Sequence, residues 1–231
     1  SNPDRHLIFF GTETTIGTKS TQDPMFIRWS DQDDYTSWTA TATNSAGSQR
    51  VTGGSKIVTA VSTRGQILFL TDTSAHGMSF IGAPFTFGFQ KLGTNCGAVS
   101  PHCAVDISGI IYWMSSDGFY MFDGTVRKMP CTVEDFVFDN IDSTQLEQVY
   151  AGSNSAFGEV IWFYCSTASN QIDRYVIFNY QEKLWYTGSL DRSTWIDSGT
   201  YPLPYATEYD GENSLLYIHE SGKNDDGSTM T

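Results

Sequence analysis

Residues 102–124, HCAVDISGIIYWMSSDGFYMFDG, decide how the rest of the chain is read. A tight turn at Ser108-Gly109 releases a strongly apolar run over residues 110–114. A second turn at Asp117-Gly118 then leads into the aromatic run over residues 119–122. Asp-Gly and Ser-Gly pairs between apolar runs this short are hairpin signals, because both turn positions favour positive φ. Asp123-Gly124 reads as another such turn. The strand-turn-strand-turn unit recurs, and repeats take precedence in assigning a fold.

Residues 56–82, KIVTAVSTRGQILFLTDTSAHGMSFIG, place Ile57, Val58 and Ala60 before an Arg64-Gly65 turn and Ile67, Leu68, Phe69 and Leu70 after it. Residues 148–188 place Gly158 before a strand at 160–164, with a following strand at 174–180. Residues 206–220 place Asp210-Gly211 before a strand at 215–218. The turn glycines at 65, 109, 158 and 211 therefore recur every 44 to 53 residues, a period that suits a four-stranded blade with loops of varied length. QILFLTD and EVIWFY are continuous apolar runs without clean alternation, so both faces of those strands should be covered. The predicted fold is all-β, a β-propeller of about five or more four-stranded blades, complete or as the major part of one over residues 1–231.

Composition agrees. The 231 residues are 39% apolar and 14% aromatic, with 21 glycines and few Ala- or Leu-rich stretches of helical spacing. Near the N-terminus, LIFFG and MFIRWSD read as two strands of a further blade, followed over residues 31–50 by a loop without a long apolar run. That blade lacks an opening strand. Either strands near 195–197 and 205–209 complete the ring from the other end, or the chain is a piece of a longer protein. One segment departs from the pattern: residues 132–148 put Val133, Phe136, Val137 and Ile141 on one face at helical spacing, with Thr132 and Asp135 as a cap-like start. A short helical insertion filling a gap between blades is expected there, and a flexible acidic tail over residues 222–231.

The formal net charge of −13 and a pI of about 4.5 argue against binding to a phosphate backbone. Acidity keeps a protein soluble, and it also suits a passage wall along which DNA slides without sticking. No run of about 18 apolar residues predicts a membrane span, and the start SNPDRHLIFFG has no signal-peptide pattern, so synthesis in the cytoplasm is expected. Four scattered cysteines, Cys96, Cys103, Cys131 and Cys165, read as buried thiols.

The search for chemistry yields no catalytic set, no cofactor and no metal site. Cys96, His102 and Cys103 lack the spacing of a zinc knuckle. His6, His76 and His219 stand apart, without a Gly-x-Ser-x-Gly elbow. MSSDGFYMFDG differs from an Asp-box turn, and GKNDDGS lacks the alternating acids of a calcium loop. Asp31, Asp33 and Asp34 share one loop, so they are poor candidates to flank a sugar bond from opposite sides. They read as a solvated turn or a charged contact with a partner. Between Lys128 and Arg174 there is no basic residue, whereas Glu134, Asp135, Asp139, Asp142, Glu147, Glu159 and Asp173 fall inside that window. Its edge should be negative and face a lumen or a basic neighbour. The candidate contact residues are thus Asp31, Asp33, Asp34, Glu134, Asp135, Asp139 and Asp142.

Three long stretches, residues 26–50, 80–124 and 174–199, resemble the tail-hub or nozzle proteins of short-tailed, P22-like bacteriophages. Arg28-Trp29-Ser30-Asp31 and Asn179-Tyr180-x-x-x-x-Trp185-Tyr186 are the most specific parts of the resemblance. It implies a non-catalytic virion protein, assembled in the host cytoplasm, that forms a homo-oligomeric, hexameric ring below the portal and its adaptor. Such a ring continues the channel for DNA retention and ejection, carries distal tail proteins, and lets double-stranded DNA pass without specific binding. Members of that family are longer than this chain. The rival reading is a glycan-binding or glycan-cleaving propeller of a virion, drawn from Tyr35, Trp38, Trp185, Tyr186 and Trp195 if they are exposed. A cellular scaffold propeller is the remaining alternative, without Trp-Asp or kelch signatures to favour it.

Overall fold

The computed structural model describes residues 5–209 and 211–222, with backbone alone at 224–225 and 228–229. In chain order the strands are β1 (Ile8–Phe10), β2 (Phe26–Trp29), β3 (Gly47–Arg50), β4 (Ile57–Ser62), β5 (Ile67–Thr71), β6 (Ser74–Gly82) and β7 (Thr86–Thr94). They continue as β8 (Ala104–Ile107), β9 (Ile110–Ser115), β10 (Gly118–Phe122), β11 (Val126–Lys128), β12 (Tyr150–Asn154), β13 (Glu159–Tyr164), β14 (Arg174–Asn179) and β15 (Leu184–Ser189). The last are β16 (Thr194–Ile196), β17 (Tyr205–Tyr209), β18 (Ser214–Ile218), β19 (Asn224–Asp225) and β20 (Ser228–Thr229). Among the described residues one α-helix, α1 (Glu134–Asn140), separates β11 from β12. Among the described residues, no helix is long and apolar enough to cross a membrane.

Consecutive strands pair antiparallel into sheets β4-β5-β6-β7, β8-β9-β10-β11 and β12-β13-β14-β15, with three-stranded sheets β1-β2-β3 and β16-β17-β18. The protein is therefore all-β, built from five antiparallel sheets of three or four strands rather than four throughout. Sequential neighbours pair because each hairpin is closed locally. Ser108 and Gly109 take φ of 55° and 91° in the β8–β9 turn, and Gly65, Gly158 and Gly211 are also at positive φ. Gly47–Arg50, inside the predicted loop, is a strand, because its backbone completes the ladder on β2. The strands at 194–196 and 205–209 join β18 in a sheet of their own instead of supplying the first sheet.

The chain packs as two compact units, Ser1–Pro101 with Asp106–Met129, and His102–Val105 with Pro130–Thr231. In the first unit Met25, Ile27 and Trp29 of the first sheet region pack with Phe69, Met78 and Phe87 of the second. Gly93 on β7 permits close approach of Cys96 and Val126, since a methyl there would meet both. In the second unit Ile161 and Phe163 pack with Trp195 and Ala206. The inner strands are sealed: Leu68, Phe69 and Leu70, then Ile111, Trp113 and Met114, then Val160, Trp162, Phe163 and Tyr164, are all 0% exposed. Neighbouring residues of a strand point to opposite faces, so these runs require cover on both sides.

α1 is shorter than the segment 132–148 predicted for it, and its start differs. Val133 is the N-cap and no side chain caps it, so Thr132 and Asp135 do not form the expected pair. Val137 and Ile141 are buried, but Phe136 is 49% exposed. The helix ends because Ile141 turns to extended backbone and its flanks bond to the segment after β13, Asp142 N–H to the Cys165 carbonyl and Thr167 N–H to that of Asn140. In the acidic tail, β19 and β20 pair with each other. The rest of the tail beyond Gly222 lies outside the described residues.

Candidate functional site

The Asp31, Asp33 and Asp34 loop frames an open cleft of about 820 Å3 in the first unit, lined among others by Arg5, His6, Ser30, Asp33, Tyr35 and Ile67. The loop leaves β2 after Trp29. The indole donates to the Ser45 carbonyl at 2.9 Å, drawing the far end of the loop back to the sheet. Asp31 Oδ1 then accepts three bonds, from Ser45 N–H at 2.8 Å, Ser45 Oγ at 2.6 Å and Gln32 N–H at 2.9 Å. Those bonds, the Ser45 hydroxyl foremost, hold the Asp31 carboxyl below the usual carboxylate range.

His6 completes a His-Ser-Asp group. Its Nε2 lies 3.0 Å from Ser45 Oγ, whose proton is committed to Asp31. In a nucleophilic triad the histidine accepts the serine proton and the carboxylate sits on the other ring nitrogen. Here the carboxylate holds the hydroxyl directly, so His6 Nε2–H is the donor and the group fastens the loop. His6 packs edge-on against Phe87, and its buried Nδ1 has no hydrogen-bond partner.

The other acids are similarly engaged. Asp33, at φ 60°, pairs with Arg5 at 2.9 Å, an exposed bridge of small energetic value. Asp34 accepts from Thr36 N–H at 2.9 Å and Thr36 Oγ1 at 2.6 Å, and these bonds, the hydroxyl first, depress its pKa. In the second unit Asp142 is clasped by Thr144 N–H at 2.8 Å and Oγ1 at 2.7 Å, ending the turn after α1. Glu134, Asp135 and Asp139 lie on α1, Glu134 and Asp135 in its first turn, where they oppose the positive end of the helix dipole. Asp135 and Asp139 are exposed. The seven predicted contact residues thus form two groups, one in each unit, and three of them spend their charge on local turns.

The same clasp occurs at three acids that no motif marks. Asp72 accepts from Ser55 N–H and Oγ, Asp173 from Ser166 N–H and Oγ, and Asp197 from Ser153 Oγ and Ser155 N–H. Separations of up to 44 residues make these pairs unreadable from a linear pattern. Of the aromatic candidates for a glycan face, Trp185 and Trp195 are buried at 8% and 6%, because they fill cores of the second unit. Tyr35 and Tyr186 are exposed, and Trp38 rests on Phe9. All four cysteines are thiols, three of them buried. Among the described residues, no group of three His, Cys, Asp or Glu side chains is placed to hold a metal ion.

No protein-family model and no curated protein matches the chain. Among solved structures, a presumed exported protein of Bacteroides fragilis superposes with a TM-score of 0.41 at 6% identity, over 90% of this chain. The chain spans 64% of the length of that protein.

Proposed function

We propose that the chain is a propeller-type scaffold, a structural ring component of a short-tailed bacteriophage tail that continues the DNA channel as a hub or nozzle. The observation that carries the reading is the run of consecutive antiparallel sheets whose inner strands are buried on both faces. Stacked blades bury strands in this way. The two most specific segments of the family resemblance support it, since both bear architecture. Trp29 and Asp31 fasten the loop at Ser45, Asn179 Oδ1 caps the turn at Gln181 and Glu182, and Trp185 donates to the Pro130 carbonyl.

A net charge of −13 fits a wall that lets DNA pass without holding it. Mass photometry and negative-stain microscopy of the complete protein test the proposal: closed rings, hexameric by mass, are expected. A monodisperse monomer at high concentration would overturn it. The glycan reading keeps one point in its favour, the 73% exposed Tyr35 at the mouth of the large cleft. If it holds, a glycan array shows binding that Tyr35→Ala removes.

A further inference from the structure

A second cleft, of about 200 Å3, opens in the second unit and is lined by Asn154, Glu159, Tyr175, Trp195, His219 and Glu220, among others. Asn154 and Glu159 face each other directly across the β12–β13 hairpin, so their side chains share a face. Glu220 follows β18 at φ 58°, and its Oε1 accepts from Asn154 Nδ2 at 3.2 Å. Asn154 is only 3% exposed, and its Oδ1 has no hydrogen-bond partner.

The cluster leaves a buried acceptor open. Asn154 Nδ2 donates to Glu220, while the buried, unpartnered Asn154 Oδ1 and the Glu159 carboxyl line the cleft beside it. Two strong donors close by point away from it: the Trp195 indole donates to the Ser153 carbonyl at 2.7 Å, and Arg192 donates to Glu208 at 2.8 Å and to His219 Nε2 at 2.9 Å. Burial first, and the Glu220 charge second, push the Glu159 pKa up. A cation placed between the two would relieve both effects.

The lining decides which cation. Calcium takes about 6–8 oxygen ligands, whereas much of this wall is carbon, from Ile161, Phe163, Ile177 and Leu190. A primary ammonium has three N–H donors, and an alkyl stem is at home on apolar and aromatic surface. We infer that this cleft binds a primary alkylammonium group, with Asn154, Glu159 and Glu220 receiving the nitrogen and the Tyr175–Trp195 side receiving the stem. The chemistry is shared by a lysine side chain of a partner protein and a free alkylamine. The inference is independent of the proposed tail role.

The test is a titration of the 15N-labelled protein at neutral pH, following the Trp195 indole resonance. n-Butylammonium should give a saturable shift. n-Butanol, which lacks the charge, and n-butyltrimethylammonium, which lacks the N–H groups, should bind about tenfold or more weakly. Glu220→Gln, on an exposed residue, and Glu159→Gln should each weaken n-butylammonium by about tenfold while the amide spectrum stays folded. Nα-acetyl-lysine methylamide identifies the source: binding equal to n-butylammonium points to a lysine side chain, and much weaker binding points to a free amine. No saturable shift with n-butylammonium, equal binding of the quaternary ion, or tighter binding of calcium would overturn the inference.

Discussion

The six tryptophan indoles of the chain each donate to a main-chain carbonyl: Trp29 to Ser45, Trp38 to Tyr35, Trp113 to Cys96, Trp162 to Cys103, Trp185 to Pro130 and Trp195 to Ser153. Five of these rings are buried, so the bond prevents an unpaired N–H inside the core while the ring supplies apolar area. Trp113→Phe leaves the Cys96 carbonyl without that donor and should cost about 1–3 kcal/mol by urea unfolding. Trp38→Phe, at the surface, should cost under about 1 kcal/mol. That these rings are core was legible for Trp113 and Trp162 within their apolar runs. Their acceptors were not, since they lie 17 and 59 residues away in the chain.

Asp31 gives a pH prediction at the same scale. Its carboxyl is lowered from 3.8 in the fold, so the clasp is fully present above 3.8 and is lost as pH falls through the folded value. The Ser45 amide resonance should titrate with a midpoint below 3.8, and in Ser45→Ala that midpoint should move back up.

At the scale of elements, hairpins close where glycine meets positive φ, and inner strands form where apolar residues run without alternation. Those two signals made β5, β9 and β13, with their turns at Gly65, Gly109 and Gly158, readable in advance. β3 was missed because Gly-Ser-Gln-Arg has no apolar signature; the ladder on β2 makes it a strand. The cap at Thr132 failed for the converse reason, since a favourable local motif yielded to the path of the chain into α1.

Gly97, in the segment after β7, tests close packing against the β5–β6 turn. A β-carbon there would sit inside the Asp72 backbone, along which residues 96–98 run through the bonds Cys96 N–H to the Thr73 carbonyl and Ala98 N–H to that of Thr71. Gly97→Ala should therefore cost about 3 kcal/mol or more, or prevent folding, as read by urea denaturation and soluble yield. Gly65→Asn, at φ 91° with open space around it, should cost within about 1 kcal/mol.

For the whole molecule, sequence composition foretold an acidic, all-β, aromatic-rich protein, while the division into two compact units had no marker in the chain. The net charge of −13 predicts no retardation of double-stranded DNA in a mobility-shift assay at physiological salt. The thiols report on burial across both units. Cys165 is pushed up to about 11, by burial first and by Asp173 and Asp142 next, and burial also raises Cys96. At mildly alkaline pH the half-buried Cys131 should be alkylated first, with the other three protected until denaturant is added, as peptide mass spectrometry would show.

The hairpin tips at Gly65, Gly124 and Gly211 have nothing within 4 Å of where a side chain would begin. A fluorophore-bearing residue or short epitope grafted at these bends would extend into solvent and leave the strands behind them undisturbed. The architecture thus offers handles for imaging or immobilisation at three separate places along one chain.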